Sequence, residues 1–175
     1  PVIEYLAEQT SPAILPEQPT GRNKRSAARH ATEPLRVLWL TPLRALASDS
    51  LASLEAPIRD LNLNWSIEKR TGDTSSSIKL RQKERLPTAL VTTPESLSLL
   101  LSYPDSRERF AGLRAVIVDE WHELMATKRG VQTELALARL RSWAPRLRTW
   151  GVSATLGNLE QARDVRPSSS IGTDA

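Results

Sequence analysis

Two adjacent carboxylates, Asp119 and Glu120, follow directly on an apolar run from Ala115 to Val118, and His122 completes the spacing Asp-Glu-x-His. A buried strand that ends in paired acids can present one carboxylate to a magnesium ion and the other to an attacking water, which is what nucleotide hydrolysis needs. His122 adds a group able to relay the state of a bound nucleotide to its surroundings. The same residues fit other chemistries poorly. Ala126 stands where a zinc protease needs its second histidine. Gly151-Val-Ser-Ala-Thr155 lacks the final glycine of a nucleophile elbow, and the other histidine of the chain is His30, far upstream of Ser153.

Strands and helices must alternate to place these groups. Leu35 to Thr41 reads as a strand, and Pro42 suits the first turn of a helix running to about Glu55. Trp65 to Arg70 is a short strand ending at Thr71-Gly72-Asp73, and Ser75 to Arg85 a polar helix. Ala89 to Thr93 is a strand, and Pro94 opens a leucine-rich helix. After the acid-bearing strand at 115–118, Val131 to Trp143 reads as a helix and Arg148 to Val152 as a strand leading into Ser153-Ala-Thr155. Asn158 suits the cap of a last short helix. Trp39, Trp143 and Trp150 fall in core-like patterns, and Trp121 reads more naturally as a packing residue than as a base-stacking one.

This alternation predicts an α/β domain, a parallel sheet covered by helices on both faces. Right-handed crossovers bring every strand's C-terminal end to one edge. Thr41-Pro42, Thr71-Gly72, Thr93-Pro94, Asp119-Glu120 and Ser153-Ala-Thr155 all stand at such ends. Five separate strands therefore converge on one rim, the place where α/β sheets bind ligands.

Composition narrows the class. The 175 residues suffice for one domain with a real core. Hydrophobic content is 39%, and no apolar run approaches the length of a membrane span. The first residues do not read as a signal peptide. Cysteine is absent, which removes disulfides and Cys-ligated zinc and fits a cytoplasmic protein. The net charge is +4 with 19 Arg against 5 Lys, a balance that favours phosphate-bearing partners and equally suits a solvated surface. Residues 11–34 are proline-rich, carry Arg22, Lys24, Arg25 and Arg29, and read as a mobile surface loop. Residues 166–175 read as a disordered tail.

Read in order, Thr-Pro-Leu-Arg-Ala-Leu (41–46), Thr-Gly-Asp (71–73), Thr-Thr-Pro-Glu-Ser-Leu (92–97), Asp-Glu-Trp-His (119–122) and Ser-Ala-Thr (153–155) resemble motifs Ia, Ic, Ib, II and III of superfamily 2 DExH-box helicases. The wording Asp-Glu-Trp-His-Glu-Leu, then Lys128-Arg-Gly-Val-Gln-Thr-Glu-Leu-Ala-Leu-Ala-Arg139, is similar to the large helicase-related group, and within it to the bacterial ligase-associated DNA-repair branch. The resemblance spans Leu35 to Val165. It implies a RecA-like motor domain using ATP and Mg2+, with a second RecA-like domain as partner and DNA favoured over RNA. Asp119 would hold magnesium through water, and Glu120 would polarise the attacking water. His122 would bond toward Ser153 or Thr155. Thr41, Pro42, Arg44, Gly72, Thr93 and Pro94 would hold the sugar-phosphate backbone of one strand, a contact indifferent to base identity.

One part of the pattern is missing. A phosphate loop of the form G-x-x-x-x-G-K-[ST] needs a Gly-Lys pair, and the sequence contains none. Residues 1–9 read as the end of an uncapped helix, so 1–165 is expected to be a first motor domain incomplete at its N-terminus. On this reading the chain alone turns over no ATP, since the phosphates lack their anchor. Two rivals remain: a catalytically dead nucleic-acid-binding module, and a metal-dependent nuclease, which would require a third acid.

Overall fold

The computed structural model describes residues 33–153. Among them are five strands: β1 (Val37–Leu40), β2 (Ile67–Arg70), β3 (Ala89–Thr92), β4 (Ala115–Val118) and β5 (Arg148–Gly151). The helices are α1 (Leu46–Asp60), α2 (Ser76–Glu84), α3 (Pro94–Leu101), α4 (Ser106–Phe110), α5 (Trp121–Leu124) and α6 (Lys128–Trp143). The strands form one sheet in the order β2-β3-β1-β4-β5, and every pairing is parallel. The strand ends therefore share one rim, as the alternation predicts.

The sequence explains the central position of β3 and β4. All four residues of each are buried. Such strands cannot alternate polar and apolar residues, because helices cover both sides. On one side Leu38, Leu40, Leu90, Val116 and Val118 pack with Leu97 and Leu100 of α3, Phe110 of α4, Leu124 of α5 and Leu140 of α6. Each such side chain contributes about 1.5–3 kcal/mol by leaving water. On the other side Val37, Ala89, Ala115 and Ile117 form a smaller cluster, flanked by half-buried Trp39, Trp65, Ile67 and Trp150. Helix α1 lies toward this side: its Ser48 accepts from Lys69 Nζ at 2.7 Å, and its Ser50 reaches Asp119.

Capping sets three helix starts. Ser75 accepts from the Ile78 amide, Thr93 from the Ser96 amide and Thr127 from the Gly130 amide. Pro94 follows Thr93 at the first helical position, where its missing N–H costs nothing.

The structure corrects several expectations. Pro42 does not begin a helix, since α1 starts at Leu46. The Thr41 hydroxyl donates to the Leu43 carbonyl, and the Pro42 carbonyl accepts from Arg129, so the chain is held in a turn first. Helix α1 also runs past Glu55, through Pro57, to Asp60. Helix α6 begins at Lys128 because Thr127 caps it. Helices α4 and α5, of 5 and 4 residues, are too short to show a helical period in sequence. The expected helix at 1–9, most of the 11–34 loop, Thr155, the cap at Asn158 and the tail lie outside the described residues.

Candidate functional site

Parallel register builds the acid end of the rim. Trp39 of β1 stands opposite Ile117 of β4, so Asp119 lies two residues further along the same face. The Asp119 amide extends the ladder by donating to the Leu40 carbonyl at 2.8 Å. Its carboxylate is held from two sides. Oδ1 accepts from the Glu120 amide at 3.0 Å, and Oδ2 accepts from Trp39 Nε1 at 3.1 Å and from Ser50 Oγ at 3.5 Å.

Glu120 takes the left-handed conformation, φ 43° and ψ 46°. For a residue with a Cβ this costs roughly 1–2 kcal/mol. The surroundings enforce it: the next amide, Trp121, donates to the Val152 carbonyl at 3.1 Å, tying the turn to the end of β5. Glu120 Oε2 is buried and accepts no hydrogen bond, although it lies 3.2 Å from His122 Nδ1. The contact lacks hydrogen-bond geometry, so the oxygen retains unfilled lone pairs.

His122 bridges two strand ends. Its Nδ1 lies 2.5 Å from Ser153 Oγ, beyond β5, and its Nε2 lies 3.3 Å from Glu123 Oε1. With the Nε2 proton facing Glu123, Nδ1 accepts the Ser153 hydroxyl; a second proton turns Nδ1 into a donor. The ring's proton state therefore bears on both Ser153 and Glu120. The predicted coupling pair His122–Ser153 is brought together, while Thr155 lies outside the described residues.

A divalent cation fits this end. Two carboxylates share the rim, one with its position fixed and one with an unsatisfied buried oxygen. Among the described residues no cluster of three His, Cys, Asp or Glu side chains could hold an ion by itself. Such an ion therefore needs water and nucleotide oxygens to complete its shell.

The other predicted residues gather along the rest of the rim. Thr41 is fully buried and Thr93 nearly so, and Pro94 is buried with them. Their side chains shape the backbone turns. Arg44 is exposed; it donates to Asp73 Oδ1 at 2.8 Å and lies against Gly72, where an added Cβ would come within 3.2 Å of its guanidinium. Lys79 Nζ closes the same turn through the Gly72 carbonyl at 2.7 Å. The turns after β1 and β2 are thus joined.

Arg129 joins the turn after β1 to α3. It donates from Nε to Glu95 Oε1 at 2.6 Å and from NH1 to the Pro42 carbonyl at 3.4 Å. Burial opposes ionisation of Glu95, but its own amide, the Thr93 hydroxyl and Arg129 outweigh that and hold its carboxyl below the usual range. Arg129 thus ties the start of α6 to both turns. The sequence reading does not reach Glu95, Ser50 or Gly130, and it gives Trp39 a core place but not its bond to Asp119. The pattern Thr127-x-x-Gly130 at a helix start is the one local signal that pointed to any of them.

A parallel sheet with paired acids and a His–Ser contact at one end of its rim, and capped helix starts along the rest, defines a RecA-like helicase core. The chain belongs to the DEAD/DEAH box helicase family, whose model matches residues 21–162. It is 37% identical over 148 residues to the ATP-dependent helicase Lhr-Core of Methanothermobacter thermautotrophicus, covering 78% of this chain and 17% of that protein. Against the Lhr helicase/uracil glycosylase of Escherichia coli it is 33% identical over 130 residues, covering 69% of this chain and 8% of that protein. Among solved structures, the Mycobacterium smegmatis helicase Lhr bound to ssDNA and AMP-PNP matches with TM-score 0.65 and 34% identity, covering 71% of this chain and 17% of that chain. These relatives are of the large helicase-related type, to which the chain is similar. The chain spans under a fifth of the length of these relatives.

Proposed function

We propose that the chain forms the acid-bearing part of the first motor domain of an ATP-dependent DNA helicase or translocase acting in the cytoplasm. The observation that carries this reading is the His122–Ser153 contact beside Asp119 and Glu120, which ties the acid turn to the following strand end. Asp119 would hold Mg2+ through water, and Glu120, with its unfilled oxygen, would orient and polarise the attacking water. When bound, Mg2+ supplies charge neutralisation at the phosphates. His122 passes the change to Ser153, and Thr155 completes the segment that meets a second RecA-like domain.

The track is the remainder of the rim. Thr41, Pro42, Arg44, Gly72, Thr93 and Pro94 present backbone and one exposed guanidinium to sugar and phosphate. The Mycobacterium smegmatis relative was solved with ssDNA, which supports DNA over RNA, and its AMP-PNP supports ATP as the fuel. DNA repair is the process in which we place the whole enzyme. This sequence contains no Gly-Lys pair, so hydrolysis on this reading requires a phosphate loop supplied from outside residues 1–175. The nuclease alternative needs a third acid, which the described residues do not place here.

Glu120→Gln in a helicase carrying this domain tests the reading. Hydrolysis should fall by roughly 10²–10⁴-fold, with AMP-PNP binding retained. Hydrolysis at the parent rate would exclude Glu120 from the reaction.

A further inference from the structure

The indole of Trp39 and the carboxylate of Asp119 are linked across two strands of the sheet. Trp39 lies in β1, within an otherwise aliphatic strand, and is half-buried against Ile117 and its neighbours. Its ring body fills the smaller core, while Nε1–H emerges at the rim and donates to Asp119 Oδ2 at 3.1 Å. A buried indole N–H ordinarily finds a partner. Here the partner is the side chain on which the proposed reaction depends, and not a backbone carbonyl.

A carboxylate has about four lone-pair sites. In Asp119 one is filled by Trp39, one by the Glu120 amide and a longer one by Ser50. Because the donors approach both oxygens, the carboxylate cannot rotate without breaking a bond. What remains unfilled points in one fixed direction. Donors of this kind restrict a ligand in advance of ion binding, so that less freedom is lost when the ion arrives.

We propose that Trp39 is a positioning residue for the cation site: its N–H fixes Asp119 so that the remaining lone pair, on Oδ1, faces the ion's water shell. This rests on the reading that Asp119 serves a divalent cation. It assigns to the strand before the turn at 42–45 a chemical part in the acid end of the rim, beyond its part in the sheet.

The test uses a helicase carrying this domain, with AMP-PNP bound and Mn2+ as a paramagnetic probe. Broadening of the backbone amide resonances of residues 118–121 reports the ion, and the Trp39 indole resonance, assigned with Trp39→Phe, reports the bond. Asp119→Asn should abolish the broadening and move the indole resonance. Trp39→Phe, and replacement of Trp39 by benzothienylalanine, which keeps the ring shape and lacks the N–H, should each weaken Mn2+ binding roughly tenfold. The sulfur isostere guards against a simple packing loss. If Asp119→Asn abolishes binding and the isostere leaves it unchanged, the positioning role is overturned and the cation site stands. If Asp119→Asn leaves the broadening intact, the cation reading itself is overturned.

Discussion

Arg129 Nε donates to Glu95 Oε1 at 2.6 Å, joining the first turn of α6 to the first turn of α3. Both partners are about half exposed, 49% and 48%. Screening by water limits such a pair to about 0.2–1 kcal/mol. A double-mutant cycle with Arg129→Gln and Glu95→Gln is expected to return a coupling in that range by urea denaturation.

The same pair has a pH signature. The folded-state carboxyl of Glu95 lies below its ordinary value of 4.5. A depressed carboxyl stabilises the fold above its unfolded value and loses that contribution as pH falls through the folded one. Carbon-detected titration of Glu95 should show its midpoint rise toward 4.5 in Arg129→Gln. An unmoved midpoint would assign the depression to the helix start alone.

Gly130 tolerates no side chain. A Cβ there would sit 2.0 Å from the Leu124 carbonyl oxygen, where α5 turns into α6. Gly130→Ala should destabilise the domain by about 1–3 kcal/mol through overpacking. Gly151→Ala is the matched control, because its Cβ would meet Trp121 at an ordinary 3.7 Å. Thermal unfolding of the two variants should therefore diverge.

Much of this arrangement is written in local sequence. The runs at 89–92 and 115–118 are β-rich, apolar and bounded by polar turns, so their burial follows from composition. The rim follows from strand polarity, and His122 with Ser153 from the motifs. The contributions of Trp39 and Arg129 are different in kind. Each depends on which strand or helix lies beside it, a fact of register absent from any window of residues. The left-handed Glu120 was equally illegible, since nothing in a glutamate announces that conformation. Pro42 misled for a related reason: a preference for helix starts yielded to a hydroxyl, a carbonyl and a distant guanidinium.

His122→Ala and Ser153→Ala should separate fuel use from work. In a helicase carrying this domain, nucleic-acid-stimulated hydrolysis should persist while strand unwinding falls roughly tenfold, the scale of a typical inter-site coupling. Parallel measurement of phosphate release and fluorophore-labelled duplex separation gives both numbers. Equal loss of the two would assign the pair to chemistry and not to coupling.

The 175-residue chain by itself should release no phosphate from ATP above buffer, with or without DNA. The acids are present, but no Gly-Lys pair anchors the β- and γ-phosphates. Steady turnover that Glu120→Gln removes would refute this.

Of the five described strands, the first in the chain occupies the middle of the sheet. As synthesis proceeds, β1 emerges before either of its neighbours, β3 and β4, exists. Its apolar residues and unpaired backbone must wait through α1, β2 and α2 for a partner. During that interval a nascent chain offers a sticky strand to any other nascent chain nearby, the situation in which chaperone holding is most useful. Slower translation between β1 and β3 would lengthen that wait, so yield in the cell should respond to codon choice in that stretch more than in the stretch between β4 and β5.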